Sequence, residues 1–372
     1  MERLSIELPD GWQHLKLKQL IKMHYGKALK AADRVEGEIP VYGSNGIVGY
    51  HNELLWEKPT VVIGRKGSVG EANLCLTPSW TIDTAYYVEL IDKQSLDLKF
   101  FYYFADLLDV SLISQKGVKP GINRNDYLNL DFTLPPLIEQ KSIVEKLDAL
   151  LTRIDTAIEH LQENLDDASS LLASALFEKF HQENNPTPIK DIFNVYNGRA
   201  YKKPELLESG KYKVIRIQNL KGGKNYYYSD LELDENKYCE DSDLLFSWSG
   251  TPGTSFGAFI WEGEKAIYHY HIWKMDPKVE IDPRYAYWVL KDITLEAIAN
   301  ARGVAGMLHI TKGTMESFVI SMPSIQEQKR IAQELDDLSK STKALQDEIS
   351  KKIKTLQMLK SSVLDSAFKG KL

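Results

Sequence analysis

The 372-residue chain is long enough for two or three cores of ordinary size, and its 43% hydrophobic content excludes a mostly disordered protein. The formal net charge of -6 counts against unaided, high-affinity binding to nucleic acid. No run approaches the ~18 apolar residues of a membrane span, and Met1-Glu2-Arg3-Leu4-Ser5-Ile6-Glu7 has neither a basic nor an apolar leader segment, so the sequence reads as soluble and cytoplasmic.

In chain order, Ile39 to Tyr42, Thr60 to Ile63 and Thr84 to Leu90 are β-rich runs punctuated by glycine turns, and an aromatic helix is expected from Leu98 to Leu108. Cys75 has no second cysteine or histidine at ligand spacing, and neither does Cys239, so neither a disulfide framework nor a metal site is expected. The run Asp131-Phe132-Thr133-Leu134 stops at Pro135-Pro136. After it, apolar residues recur in steps of three, four or seven at Ile143, Leu147, Leu150, Ile154, Ile158, Leu161, Leu165, Leu172 and Leu176, the pattern of a coiled-coil seam. Gln182 to Thr187 reads as a linker. Strand-like runs follow at Val214 to Ile217, Leu244 to Trp248 and Ile267 to Trp273, then a helix near Arg284 to Lys291 and a last strand-like run, Phe318 to Ser321. A second seam takes Ile331, Leu335, Leu338, Leu345, Ile349, Ile353, Leu356, Leu359 and Val363. Helices of roughly 40 residues at ~1.5 Å each would make rods of about 60 Å, a length that suits the spacing of two domains. The same periodicity would also serve two helices of an ordinary bundle.

These elements occur twice. Leu134-Pro135-Pro136-Leu137-Ile138-Glu139-Gln140-Lys141 returns as Ser321-Met322-Pro323-Ser324-Ile325-Gln326-Glu327-Gln328-Lys329, and each copy opens a long helix ending in Ser-Ala and a Phe. Gly26-Lys27 matches Gly198-Arg199, Leu96-Asp97 matches Ile281-Asp282, and Gly117-Val118 matches Gly303-Val304, with an offset that only grows from 172 to 192 along the chain. Insertions in diverged copies of one unit have that effect, and a period of about 185 residues is far beyond solenoid repeats of ~20–50. The expected division is residues 1–136 and 182–322 as globular domains, each followed by a helix, 137–181 and 323–372. The first helix holds 4 basic and 9 acidic residues and the second 10 basic and 7 acidic, a complementarity that favours their pairing.

The chain lacks the phosphate loop, the dinucleotide-binding glycine fingerprint, the nucleophile elbow, the zinc-protease helix motif and the Asn-Pro-Pro-aromatic tetrapeptide of amino-methyltransferases. Asp241-Ser242-Asp243 and Asp166-Asp167 read as solvated surface, and His269 and His271, alternating on a strand, read as satisfied or interfacial histidines. No catalytic residue, cofactor or metal is expected. What recurs instead is polar side chains framed by glycines: Tyr42 to Tyr50, Gly64 to Gly70 and Gln115 to Arg124 in the first half, Ser247 to Thr254 and Gly303 to Lys312 in the second. Glycine admits close backbone approach while Arg, Lys, Ser and Asn reach phosphates and base edges. Each loop alone is equally readable as a turn; the set points to a paired recognition surface.

Together with Leu8-Pro9-Asp10-Gly11-Trp12, Ile39 to Gly46, Gly64 to Gly70, Ile82 to Tyr87 and the Leu-Pro-Pro-Leu-x-Glu-Gln helix opening, these features resemble the specificity subunit of type I restriction-modification systems over nearly the whole chain. The resemblance implies an α+β architecture: two similar mixed α/β target-recognition domains in tandem, separated by two long helices packed as an antiparallel coiled coil, with pseudo-twofold symmetry. It implies that each domain reads one half of a split double-stranded DNA target. Two methyltransferase subunits would dock on the helices and motor-nuclease subunits would cleave, this chain itself being non-catalytic and part of a phage-defence system. The candidate DNA contacts are Ser44, Asn45, Arg65, Lys66, Ser68, Lys119, Asn123 and Arg124 for the first half-site, and Asn219, Lys221, Trp248, Thr251, His309 and Lys312 for the second. The second domain departs from the first where Arg65-Lys66 becomes Trp248-Ser249 and Lys119-Pro120 becomes Ala305-Gly306. A standalone DNA methyltransferase or nuclease, and a non-catalytic scaffold or glycan-binding module suggested by Asn225-Tyr226-Tyr227-Tyr228, are the rival readings.

Overall fold

The computed structural model describes residues 9–115, 120–181, 186–300 and 307–372. The chain divides into two compact units, one formed by residues up to Gln162 with Lys351–Leu372, the other by Glu163–Ser350.

In the first unit an antiparallel sheet runs in the order Ile21–Tyr25, Ala85–Leu90, Thr60–Gly64, Ala72–Cys75. A three-stranded sheet joins Gly46–His51 to Ile39–Gly43 and, in parallel, Trp80–Thr81. Val61, Val62 and Ile63 are fully buried, so the central strand reads as a continuous apolar run and not as an alternation. The helix Leu98–Leu107 packs on this sheet; Asp97 caps it by accepting from the amides of Lys99 and Phe100 at 2.9 Å, and Phe100, Phe101 and Tyr103 fill the core.

The second unit repeats the plan, with one strand more, Tyr238–Cys239, in its second sheet. Its first sheet runs Phe193–Asn197, Ile272–Pro277, Leu244–Ser247, Gly257–Ile260, and a second sheet runs Tyr227–Ser229, Tyr212–Ile215, Ala266–Tyr268, Tyr238–Cys239, with Tyr212–Ile215 parallel to Ala266–Tyr268 as Ile39–Gly43 is to Trp80–Thr81. Two expectations are corrected here. The run from Ile267 to Trp273 is two strands of different sheets, with His269, Tyr270 and His271 in the joint; an apolar pattern carries no mark of a strand changing sheets. The expected linker loses Pro186 and Thr187 to a strand, Pro186–Pro188, paired with Val319–Ser321; its residues 182–185 lie outside the described residues. The expected helix near Arg284 to Lys291 extends over Pro283–Asn300.

The long helices span Leu137–Phe180 and Ile325–Phe368, 44 residues each, or about 66 Å. Within the first unit Lys360 pairs with Asp155 at 2.9 Å, and within the second Gln346 bonds Ser169 at 3.0 Å and Lys179 pairs with Glu334 at 3.0 Å, so rising numbers on one helix meet falling numbers on the other: the pairing is antiparallel. Of the expected seam, Leu150, Leu345 and Leu359 are exposed, while Val144, Leu151, Ala168, Thr342 and Leu364 are buried. The helices bury a face against the globular core as well as against each other, so the apolar stripe is wider than a heptad seam and follows the ~3.6-residue period.

The repeated glutamine fastens each helix to its unit. Gln140 is fully buried; its Oε1 accepts from the Asp97 amide at 2.8 Å and its Nε2 donates to the Ser95 and Pro135 carbonyls at 2.8 Å. Gln328 repeats this with the Asp282 amide and the Pro323 carbonyl, both at 2.9 Å. No helix among the described residues is long and apolar enough to cross a membrane.

Candidate nucleic-acid interface

In the first unit the glycine-framed loops meet at one end of the main sheet, where its strands deliver Tyr25, Gly64 and Ala85. Gly64 has no room for a side chain: a Cβ there would lie 1.9 Å from the Ser68 carbonyl oxygen and 2.7 Å from that of Ser44. That approach locks the Gly64–Gly70 loop against the Ser44-Asn45 turn, and Gly67 and Gly70 take the left-handed conformation that shapes the loop. The Arg65 carbonyl accepts from the Ile122 amide at 3.1 Å, which brings in the segment carrying Asn123 and Arg124.

The result is an open cleft of about 960 Å³ whose lining includes Tyr25, Ser44, Arg65, Lys66, Asp83 and Asn123. The Arg65 guanidinium lies 5.0 Å from the centre of the exposed Tyr25 ring and donates to the Asp83 carbonyl at 3.2 Å; the Arg124 guanidinium lies 5.2 Å from the same ring. Two cations held by stacking keep edge donors for an outside acceptor. Tyr86 donates to the Ile122 carbonyl at 3.0 Å, and burial together with the Tyr25 hydroxyl pushes its phenol above the usual range, so it stays protonated. Asn123 caps the short helix Arg124–Leu128 by accepting from the Asn125 amide at 2.8 Å, which engages its oxygen and leaves its amine. The structure thus gathers Ser44, Arg65, Lys66, Asn123 and Arg124; Asn45 stands exposed in the turn beside Ser44, and Ser68 supplies backbone to the loop. Lys119 lies outside the described residues.

In the second unit the same place is built differently. Trp248 takes the position of Arg65, receiving the Ile310 amide on its carbonyl at 3.1 Å as Arg65 receives Ile122. Its indole donates to the Tyr270 carbonyl at 2.7 Å and lies among rings, with centroids 5.3 Å from His271 and 6.1 Å from His309. His269 and His271 join this cluster from the joint between the sheets. Burial, with His271 and Arg216 nearby, pushes the His269 imidazole down to about 4; burial and His309 lower His271 as well, so both are neutral at neutral pH. Thr251 is exposed at the start of the following loop, and Lys221 is exposed after the short helix Ile217–Leu220. Lys312, the counterpart of Arg124, turns away to the Val195 carbonyl at 2.9 Å.

Asn219 is not a surface donor. It is 4% exposed, its oxygen accepts from the Arg216 amide at 2.9 Å, and its amine donates to the Gly223 and Asn225 carbonyls at 2.9 and 3.0 Å. What it holds in place is Arg216, whose guanidinium lies 4.2 Å from the centre of the Tyr227 ring and donates to the Asn225 carbonyl. Arg216 was missed in the sequence, as were Tyr25, Asp83 and Tyr270. The signal for Arg216 was its place directly after Val214-Ile215, where Gly43 follows Val41-Tyr42 in the first copy. Tyr25 directly precedes Gly26, which the repeat pairs with Gly198; a Cβ on these glycines would lie 2.1 Å from the Ile82 carbonyl oxygen and 2.3 Å from that of His269. Among the described residues no group of three or more His, Cys, Asp or Glu could hold a metal ion.

The sequence profile described as "Type I restriction modification DNA specificity domain" matches residues 9–165 and again 182–355. The specificity subunit of the type I restriction enzyme MjaVIII of Methanocaldococcus jannaschii is 23% identical over 413 aligned positions, covering 96% of this chain and 94% of its own. That of EcoBI from Escherichia coli is 29% identical over 187 positions, covering 49% of this chain and 38% of its own. Among solved structures, a chain from a study of complex assembly and conformational transition of the type I R-M system aligns with a TM-score of 0.77 at 17% identity, over 98% of this chain and 100% of that one. The HsdS subunit of Thermoanaerobacter tengcongensis aligns with a TM-score of 0.56 at 17% identity over the whole of both chains. At these identities the structures show a shared fold, and the profile match over both halves decides the family: this chain belongs to the type I restriction-modification specificity subunits and carries their DNA specificity domain twice.

Proposed function

We propose that this chain reads a split double-stranded DNA target for a type I restriction-modification complex. One half-site falls to the cleft around Tyr25 and the other to the Trp248 cluster, with the paired helices setting the gap. Methyltransferase subunits dock on the helices, motor-nuclease subunits join them, and the chain itself supplies recognition and no bond chemistry. The observation that carries the reading is the convergence of Ser44, Arg65, Lys66 and Asn123, from three separate loops, on one open cleft, with Arg124 stacked on the Tyr25 ring that lines it. Arg is the side chain best suited to bidentate contact with guanine O6 and N7, worth about 1–3 kcal/mol of discrimination. Asn45, Ser68 and Lys119 complete the proposed contacts of this half; Arg216, Lys221, Trp248, Thr251 and His309 supply those of the other. Lys312 and Asn219 act there by holding backbone. The domain limits proposed are 1–136 and 182–322, each followed by its helix. A scaffold or glycan-binding module would need no cationic cleft.

The test is sequencing of methylated adenines in DNA from cells that express the chain with its cognate methyltransferase subunit. A motif of two short half-sites around a fixed gap is expected. Arg65→Ala should relax one position of one half, and Trp248→Ala one position of the other. A continuous motif, or a change in both halves from either substitution, would refute the assignment.

A further inference from the structure

The first unit has a second concavity, at the opposite end of its main sheet. The pairing that sets Tyr25 beside Tyr86 at the cleft sets Ile21 beside Leu90 here, four residues further along, or about 13 Å. Trp56, Leu90, Leu96 and Leu137 form an apolar floor, and Lys58, Lys93 and Lys141 stand on the rim; a volume of about 340 Å³ admits one or two large side chains. The acids of the lining are engaged: Glu89 holds His24 at 3.0 Å, and Asp97 caps its helix. The three lysines are exposed, and none forms a salt bridge among the described residues. Ile91 and Ile138, the chain neighbours of Leu90 and Leu137, are 49% and 84% exposed. Lys58 lies 5.8 Å from the centre of the Trp56 ring and acts on Glu89, while Lys93 and Lys141 are left to solvent. An apolar floor gives nothing to a phosphate backbone, while apolar side chains rimmed by exposed ammonium groups suit a protein surface of opposite charge.

We propose that this concavity docks an acidic segment of a protein partner, which seats one leucine- or phenylalanine-sized side chain on the floor between Trp56 and Leu137 and sets carboxylates against Lys58, Lys93 and Lys141. The partner's identity rests on the functional reading above, in which it is the methyltransferase subunit. Binding of the full chain to its cognate methyltransferase subunit is measured for the wild type, for the triple variant Lys58→Glu, Lys93→Glu, Lys141→Glu and for Arg65→Ala, with duplex DNA binding measured in parallel and folding checked by circular dichroism. The triple reversal should weaken methyltransferase binding about tenfold or more, chiefly through association rate, and leave DNA binding unchanged; a fourth protein, the triple variant Lys58→Gln, Lys93→Gln, Lys141→Gln, should show a smaller loss that shrinks with added salt. Arg65→Ala should leave methyltransferase binding unchanged. Wild-type binding that survives the reversal overturns the inference alone. A reversal that weakens DNA binding and spares the methyltransferase makes the rim a phosphate contact and also overturns it. A wild-type chain that binds no methyltransferase overturns the functional reading itself.

Discussion

Gln140→Leu removes a side chain of similar size and three hydrogen bonds from a fully buried site, while Gln328→Leu removes two from the equivalent site of the second unit. At about 0.5–1.5 kcal/mol net per bond, the expected losses are about 3 and about 2 kcal/mol. Both substitutions orphan the amide of the residue that caps the domain helix, Asp97 or Asp282, so the damage should begin at Leu98–Leu107 in one case and Pro283–Asn300 in the other. A two-unit chain need not melt in one step, so the assay is native-state hydrogen exchange read by mass spectrometry on peptides from these helices. A loss of 3 kcal/mol corresponds to a drop of about a hundredfold in protection, confined to the unit that carries the change. If Gln328→Leu cost more than Gln140→Leu, or if either cost under about 0.5 kcal/mol, the claim that these glutamines fasten helix to domain would be wrong.

Gly26→Ala and Gly198→Ala should each cost about 3 kcal/mol, the upper part of the range for overpacking, because the new methyl would face backbone carbonyls that cannot swing away; urea titration checks this. His269 is held near 4, below the ~6.5 of an unfolded chain, so the unfolded state takes up a proton first. Its contribution is therefore intact above about pH 6.5 and is lost as the pH falls towards 4. The difference in stability between wild type and His269→Gln should shrink over that window, and a flat difference would refute the burial argument. Asp336 accepts from Arg284 and from the Trp288 indole, while Asp155 meets Lys360 on an exposed helix face. Asp336→Ala should cost about 2 kcal/mol and Asp155→Ala under about 0.5 kcal/mol in thermal melts.

The duplicated plan, the two long helices and the glycine-framed loops that line the cleft could all be read from the residues, because each depends on local rules: apolar spacing, proline before a helix, glycine around polar side chains. Even the fastening role of Gln140 was marked by its return as Gln328. What depended on through-space neighbours could not be read. Leu150 and Leu151 are equivalent as letters, and only the core packed beside the helix selects Leu151 for burial. Asn219 has the chemistry of a base contact, yet three backbone groups placed by the loop around it engage its amide. His269 and His271 alternate as strand residues do, but the chain changes sheets between Tyr268 and Ile272 and turns them into a cluster under Trp248. Tyr25 gains its place only when two arginines, 40 and 99 residues further along the chain, stack on its ring. The sequence by itself determined which elements form and that they form twice; tertiary structure alone decided which polar side chains are engaged within the fold and which face the cleft, because hydrogen-bond satisfaction depends on partners brought together from distant parts of the chain.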